Sequence, residues 1–517
     1  MQKYFNIAGP CNEKSHYMVP VLNKYKVVYN LVEQGHYFVI HAARQTGKIT
    51  LIKALVKYYN AEGSYYALYC SLESVQVFAE PERGIPEILA NIKSALKYSN
   101  LPSKNSFAQE NDIQNYSTLI GDALKDYCLL LDKPLIIFFD EIDGLQNGTL
   151  ITFLRQLRDG YITRPEISFV HSIALVGMRN IRDYKSKVRE DQFTLGSPSP
   201  FNIISDALTI KNFSISEIES LYTQHTQATG QVFEKPVLEK IFEQTDGQPW
   251  LVNAIAREII QNILESDYAR KITVELVEQA ILNIILRRDT HIDSLLDKLI
   301  EPRVLQIIEP VILGKANAIS ISNNDTQYCI DLGLLKIANG EIFPANKIYN
   351  EVIIRTLSYD TQFQFIQKVK TNWIDHSGVI DMNGLLKGFQ QFWRENSDIW
   401  VEKYDYKEAA PHLILQAFLQ RIINGGGTIL REYASGRERM DLCVVYDKKK
   451  YPVELKLMYS KSVIQEGIEQ LSNYMTTLGE NTGWLVIFDR SNTKSWDEKI
   501  YWKVETFEGK VINVVGC

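Results

Sequence analysis

Two carboxylates and one ammonium group stand close together in GRERMDLCVVYDKKKYPVELKL (436–457). The segment reads as two β-strands, Asp441–Tyr446 and Tyr451–Leu457, joined by a turn rich in Lys. With the turn centred near 447–449, Asp441 lies almost opposite Glu454. Alternation along the strand then puts Glu454 and Lys456 on one face and Val453, Leu455 and Leu457 on the other. Burying such charges unpaired is costly, so a metal or mutual pairing must hold them. Asp441 and Glu454 suit Mg²⁺, with Mn²⁺ as a substitute. Lys456 suits a nucleophilic water or the charge developing on a phosphate. The plainer alternative is a surface hairpin with an incidental salt bridge.

A second chemistry is written in HAARQTGKIT (41–50). The loop Arg44-Gln45-Thr46-Gly47-Lys48 follows an apolar run and precedes a helix. There, backbone N–H groups and the helix dipole cradle phosphates, and Lys48 reaches the β and γ phosphates of ATP. The pattern calls for Ser or Thr directly after Gly-Lys, to ligate Mg²⁺. Ile49 occupies that place and Thr50 comes one residue late, turned by about 100° around the helix. Nucleotide binding is therefore expected, with little turnover. IIFFDEIDGL (136–145) is an apolar strand ending in Asp140-Glu141, a Walker B arrangement. Asp140 is placed near Mg²⁺ and Glu141 as the base that orients water. The alternative is a pair of acids ending a strand in solvent.

The elements that must position these groups alternate in the first 210 residues. YFVIH (37–41), YALYCSL (66–72), PLIIFFD (134–140), SIALVG (172–177) and ALTIKNF (207–213) read as strands. All but the last are apolar enough for the buried centre of a parallel sheet. ALVGMRN ends a strand at Arg179 and Asn180, where a γ-phosphate sensor would sit. Arg155 and Arg158 could each reach a neighbouring subunit, or be ordinary solvated helix charges. From about 214 to 288 the periodicity is helical. Residues 289–360 end in a helix and two apolar runs joined by Asn-Gly, the order of a winged helix. The fold class is α/β. The expected domains are 1–213 (nucleotide-binding core), 214–288 (helical lid), 289–360 (winged helix), 361–404 (connection) and 405–517 (a second α/β domain).

Composition sets wider bounds. The chain has 517 residues, 23% of them charged, and a net charge of −6, so no global basic field advertises nucleic acid. A local groove can still be basic. Arg431, Arg437, Arg439 and Lys448–Lys450 cluster around the hairpin and could hold phosphates. The six cysteines are scattered without a C-x-x-C pair, which argues against a zinc ribbon or a disulfide framework. No apolar run approaches the roughly 18 residues of a membrane span. A reducing cytoplasm and no membrane partner are the simplest reading.

FNIAGPC, HYMVP, GHYFVIHAARQTGK, FFDEID and DGQPWLVNAIA together resemble the bacterial AAA-like ATPases near the STAND and origin-recognition types, over roughly residues 1–360. The resemblance implies an ATPase core, lid and winged helix, assembly through the ATPase domain, and a place for Pro249 near the nucleotide. The spacing D-x(12)-E-x-K resembles the PD-(D/E)XK nucleases, over about residues 405–490. That resemblance implies roles for Glu408 on the preceding helix and for Gln470 on the following one. The combined expectation is an ATP-binding switch joined to a metal-dependent nuclease acting on DNA. The alternative is a nucleotide-gated signalling or DNA-binding protein without nuclease activity.

Overall fold

The computed structural model describes residues 3–102, 115–178, 203–287, 290–312, 320–353, 379–403, 428–435, 438–446, 449–458, 462–489 and 494–517, with isolated positions 356, 373, 415, 418, 419 and 491. The chain divides into two compact units. The first comprises Met1–Ile308 with Asn317–Asn350, and the second Glu309–Ala316 with Glu351–Cys517.

In the first unit, five parallel strands form one sheet: β1 (Tyr37–His41), β2 (Tyr66–Ser71), β3 (Leu135–Asp140), β4 (Ser172–Gly177) and β5 (Ile204–Thr209), in the order β2-β3-β4-β1-β5. The four apolar strands lie within two residues of their expected limits. β5 starts three residues early because it is an exposed edge strand with no buried run to mark it. Alternate side chains of the inner strands enter two cores. Val39, Ile137, Phe139, Ile173 and Leu175 join α3 (Pro81–Lys97), α4 (Leu119–Leu129) and α5 (Asn147–Thr163). Phe38, Ile40, Phe138, Ala174 and Val176 join α1 (Val27–Glu33) and α2 (Lys48–Glu62). Strands apolar on both faces thus yield a helix–sheet–helix sandwich.

Beyond β5 come α6 (Ile215–Thr229), α7 (Lys235–Thr245), α8 (Pro249–Arg257) and α9 (Val274–Arg287). Ser214 and Glu217 form a capping box at the start of α6, satisfying its free N–H groups. α10 (Thr290–Leu299), α11 (Pro302–Ile312) and α12 (Asn324–Asp331) follow, then the antiparallel pair β6 (Leu335–Ala338) and β7 (Glu341–Pro344). Asn339 and Gly340 both have positive φ, 52° and 82°, as a tight Asn-Gly hairpin turn requires.

The second unit is a six-stranded mixed sheet in the order β12-β13-β11-β10-β9-β8. Its strands are β8 (Thr428–Ser435), β9 (Glu438–Tyr446), β10 (Lys449–Leu457), β11 (Thr482–Phe488), β12 (Tyr501–Phe507) and β13 (Lys510–Gly516). Leu442, Val444, Val453, Leu455, Val486 and Phe488 pack with Leu385, Phe389 and Trp393 of α13 (Met382–Lys403). The segment read from sequence as a connection thus contributes a core helix. On the opposite face, Leu485 and Ile487 pack with Ile468, Leu471 and Met475 of α14 (Ser462–Leu478). No helix among the described residues is long and apolar enough to cross a membrane.

Candidate functional site

The C-terminal ends of β1 and β3 carry the first site, with β4 between them. From β1 the chain enters the phosphate loop, where Gln45 and Gly47 adopt left-handed conformations (φ 58° and 94°). A Cβ built at Gly47 meets nothing within 4 Å, so the glycine serves backbone conformation and leaves space above the start of α2. Thr46 Oγ1 donates to the Ala43 carbonyl at 2.9 Å, closing the loop on itself.

Lys48 opens α2, and its ammonium donates to the carbonyls of Ala42 at 2.6 Å and Ala43 at 3.3 Å. Burial pulls its pKa below the ordinary value, while Asp143, Glu141 and Asp140 push it back up. Ile49 is half-buried and supplies no oxygen. The Thr50 hydroxyl is already engaged, accepting the Cys11 N–H at 3.0 Å. Thr50 thus ties the N-terminal segment to α2 and does not replace the missing hydroxyl of position 49.

Asp140 is buried, 1% exposed. One carboxylate oxygen accepts the Tyr69 hydroxyl at 2.9 Å and the other the Glu141 N–H at 3.0 Å. Burial raises its pKa, and burial followed by the Asp140 charge raises that of Glu141. Glu141 stands at φ 59°, a conformation rare for a non-glycine residue and concentrated at functional sites. Sequence reasoning passed over Asp143. Its Oδ2 accepts the Met178 N–H, and of the three acids it acts most strongly on Lys48. The sequence signal was the third acid of DEID, two residues after Glu141.

Beside the loop lies a cavity of ≈ 530 Å³, lined by His41–Arg44 and Thr46, by Thr209 at the end of β5 and the three residues that follow, by Gln248 at the start of α8, and by His291, Asn346 and Tyr349. Arg44 donates to Ser294 Oγ at 3.3 Å. Pro249 does not line this cavity; it is buried at the first turn of α8, where Gln248 caps the Leu251 N–H at 2.7 Å. The turn after α12 presses on the loop: a Cβ at Gly333 would lie 2.5 Å from that of Ala43. Arg179 and Asn180 lie outside the described residues. Arg155 is exposed on α5 and Arg158 half-buried.

His41 and His291 are both buried in this region, and burial depresses each pKa to about 4. The positive charges of Lys48 on His41, and of Arg44 on His291, act in the same direction. Both bind protons more weakly folded than unfolded. Their contribution is therefore complete above pH ~6.5 and is lost as pH falls toward 4, by at most about 3 kcal/mol each. Thermal unfolding followed from pH 7 to 4 is expected to show this loss, with a smaller slope in His291→Gln.

In the second unit the register bears directly on the hairpin. Lys449 pairs with Tyr446 and Val453 with Leu442, antiparallel. That register runs to Val453 and Leu442, the residues next to Glu454 and Asp441. Glu454 is 2% exposed and accepts Lys456 Nζ on Oε1 at 2.7 Å. Both sit on the α14 face, since Glu454 pairs with Leu485 and Lys456 with Ile487. A Cβ at Gly467 of α14 would come within 3.3 Å of Lys456 Cγ, so the small residue lets the helix cover that side chain. Gln470 is exposed on α14. Glu408 and the side chains of Asp441, Arg431, Arg437 and Arg439 lie outside the described residues. Among the described residues, no group of three or more His, Cys, Asp or Glu is placed to hold a metal ion.

Comparison with known proteins decides the first unit. The protein-family profile described as "AAA-like domain" matches residues 8–354, more than half of the chain. The chain belongs to the AAA-like domain family. A second profile, described as "Domain of unknown function (DUF8371)", matches residues 382–492, downstream of the AAA-like domain. No curated protein matches the chain. Among solved structures, the Walker-type ATPase PABY2304 of Pyrococcus abyssi is 14% identical, with 68% of this chain and 99% of that one covered and a TM-score of 0.47. Cdc6p from Pyrobaculum aerophilum is 12% identical (66% and 95% covered, TM-score 0.35). The RuvB Holliday junction branch migration motor of Thermotoga maritima is 13% identical (64% and 93%, TM-score 0.34). These likenesses are too remote to bear on the chemistry of the AAA-like domain here, which rests on the profile match and its own residues.

Proposed function

We propose that this protein is an ATP-binding switch joined to a metal-dependent nuclease acting on DNA. The observation that carries the first half is the convergence of Lys48 with Asp140 and Glu141 at the C-terminal ends of β1 and β3, in a member of the AAA-like domain family. Backbone N–H groups at the start of α2 and the Lys48 ammonium bind the phosphates. The adjoining cavity is of the size that holds small ligands and receives the rest of the nucleotide.

The residues present fit Mg²⁺ without a ligand at position 49. Asp140 uses each oxygen once, and a carboxylate has about four acceptor sites, so it can still hold the ion through water. Bound Mg²⁺ would neutralise charge between the phosphates. Ile49→Thr restores a hydroxyl to the first turn of α2 and is expected to raise the rate of phosphate release several-fold. Brisk release by the wild type that Ile49→Thr leaves unchanged would mean that the loop works by another geometry.

For the second half, Asp441 and Glu454 are the proposed metal ligands, and Lys456 orients water or the phosphate; Glu408 and Gln470 are the proposed accessory groups. What supports this is the burial of Glu454 beside Lys456 on a strand that pairs antiparallel with the one carrying Asp441. The same Glu454–Lys456 pair favours the rival reading, a DNA-binding or signalling protein with the hairpin as scaffold, because the lysine already has a counter-charge. Plasmid cleavage with Mg²⁺ or Mn²⁺, with and without ATP, separates the two.

A further inference from the structure

We propose that Asp143 is a positioning residue of the nucleotide site, whose carboxylate ties the turn after β3 to the end of β4 and so fixes both Glu141 and the first residue of the phosphate loop. The inference rests on the nucleotide-binding reading above. Three contacts make the chain of positions continuous. Asp143 Oδ2 accepts the Met178 N–H, just past β4. The Gly177 carbonyl accepts the Ala42 N–H at 3.2 Å, where the loop begins, and Gly177 pairs with His41 in the sheet. On the other side, the Gly144 N–H donates to the Glu141 carbonyl at 3.0 Å, closing the short turn that contains Asp143.

Gly177 shows how closely the carboxylate is seated. A Cβ there would lie 2.6 Å from Asp143 Oδ2, 2.8 Å from Cγ and 2.9 Å from Oδ1. An aspartate has only two side-chain torsions, so a methyl group at 177 must push the carboxylate off the Met178 N–H. Glu141 meanwhile holds a left-handed conformation, which persists only where the surroundings over-determine it. The Asp143 clamp is part of that determination. With Glu141 and Asp140, the same carboxylate sustains the charge on half-buried Lys48.

The test is single-turnover hydrolysis of ATP with the full chain in excess, in the wild-type and Ile49→Thr backgrounds, alongside ATP affinity, binding stoichiometry and thermal unfolding. Asp143→Ala is expected to lower the rate constant on the order of tenfold while affinity stays within about threefold. Asp143→Asn keeps an oxygen for the Met178 N–H and should retain the rate within about threefold. Gly177→Ala should repeat the Asp143→Ala loss, and the double variant Asp143→Ala/Gly177→Ala should be no slower than Asp143→Ala, since the obstructing carboxylate is gone. Rescue by Asn and this non-additivity are not expected of a residue that merely stabilises the fold. An unchanged rate in Asp143→Ala, additive losses in the double variant, or no hydrolysis in either background would overturn the inference and leave Lys48-dependent ATP binding standing. A wild type that binds no ATP would instead remove the nucleotide reading, and the inference with it.

Discussion

Replacing Glu454 with Ala is expected to abolish Mg²⁺- or Mn²⁺-dependent cleavage of plasmid DNA, a loss of about three orders of magnitude or more, because groups that share one metal act as a unit. The side chain is buried beside Lys456 on the α14 face of β10. The hydrophobic contacts of β10 come from Val453 and Leu455 on the opposite face. The sheet should therefore survive, and ATP binding by the first unit should be unaffected. Glu454→Gln keeps the volume and a partner for Lys456, so its equal loss would exclude misfolding as the cause. Asp441→Ala and Lys456→Ala should behave alike. Lys449→Ala, at the exposed start of β10, is the control and should cost modest, salt-dependent affinity only. A cleaving wild type matched by Glu454→Ala would remove the nuclease assignment.

Lys48→Ala should weaken ATP binding on the order of a hundredfold, the scale of losing a charge-assisted contact to phosphate. The half-buried lysine is bonded through its ammonium to two loop carbonyls and faced by three acids. Removing it leaves Asp140, Glu141 and Asp143 without a cation that acts on all three, so their charge would oppose the triphosphate. Titration with a fluorescent ATP analogue measures the effect. If nucleotide gates the nuclease, cleavage by Lys48→Ala should also lose its response to ATP, with the metal site intact. Equal cleavage by both proteins at every ATP concentration would leave the two activities uncoupled.

How far these sites could be read in advance depended on how local their signals are. β1, β3 and β4 were legible because strands buried on both faces must be apolar throughout. β5 was displaced by three residues because an edge strand exposing Ser205, Asp206 and Ala207 carries no such mark. The β6–β7 hairpin was legible from Asn339-Gly340, a turn fixed by two adjacent residues. Lys48, Asp140 and Glu141 each end or begin an apolar element, so their positions followed from the elements. Asp143 was not legible, because its partner Met178 is supplied by a strand exit thirty-five residues away. The β9–β10 register was legible from one short turn. The placing of β8, β12 and β13 in the same sheet was not, nor was the packing of α13 against it. Those arrangements depend on contacts across the whole unit.

The contact between Gly333 and Ala43 restricts how these two positions can drift over evolutionary time. At φ 78° position 333 disfavours any side chain, and a Cβ there would already collide with Ala43. Ala43 in turn faces the space that a larger residue at 333 would need, so neither position can compensate for growth of the other. A side chain at 333 is tolerable only if the turn after α12 withdraws from Ala43. Glycine at position 333 is thus a sequence-readable marker, in any related chain, of whether that turn still rests against position 43.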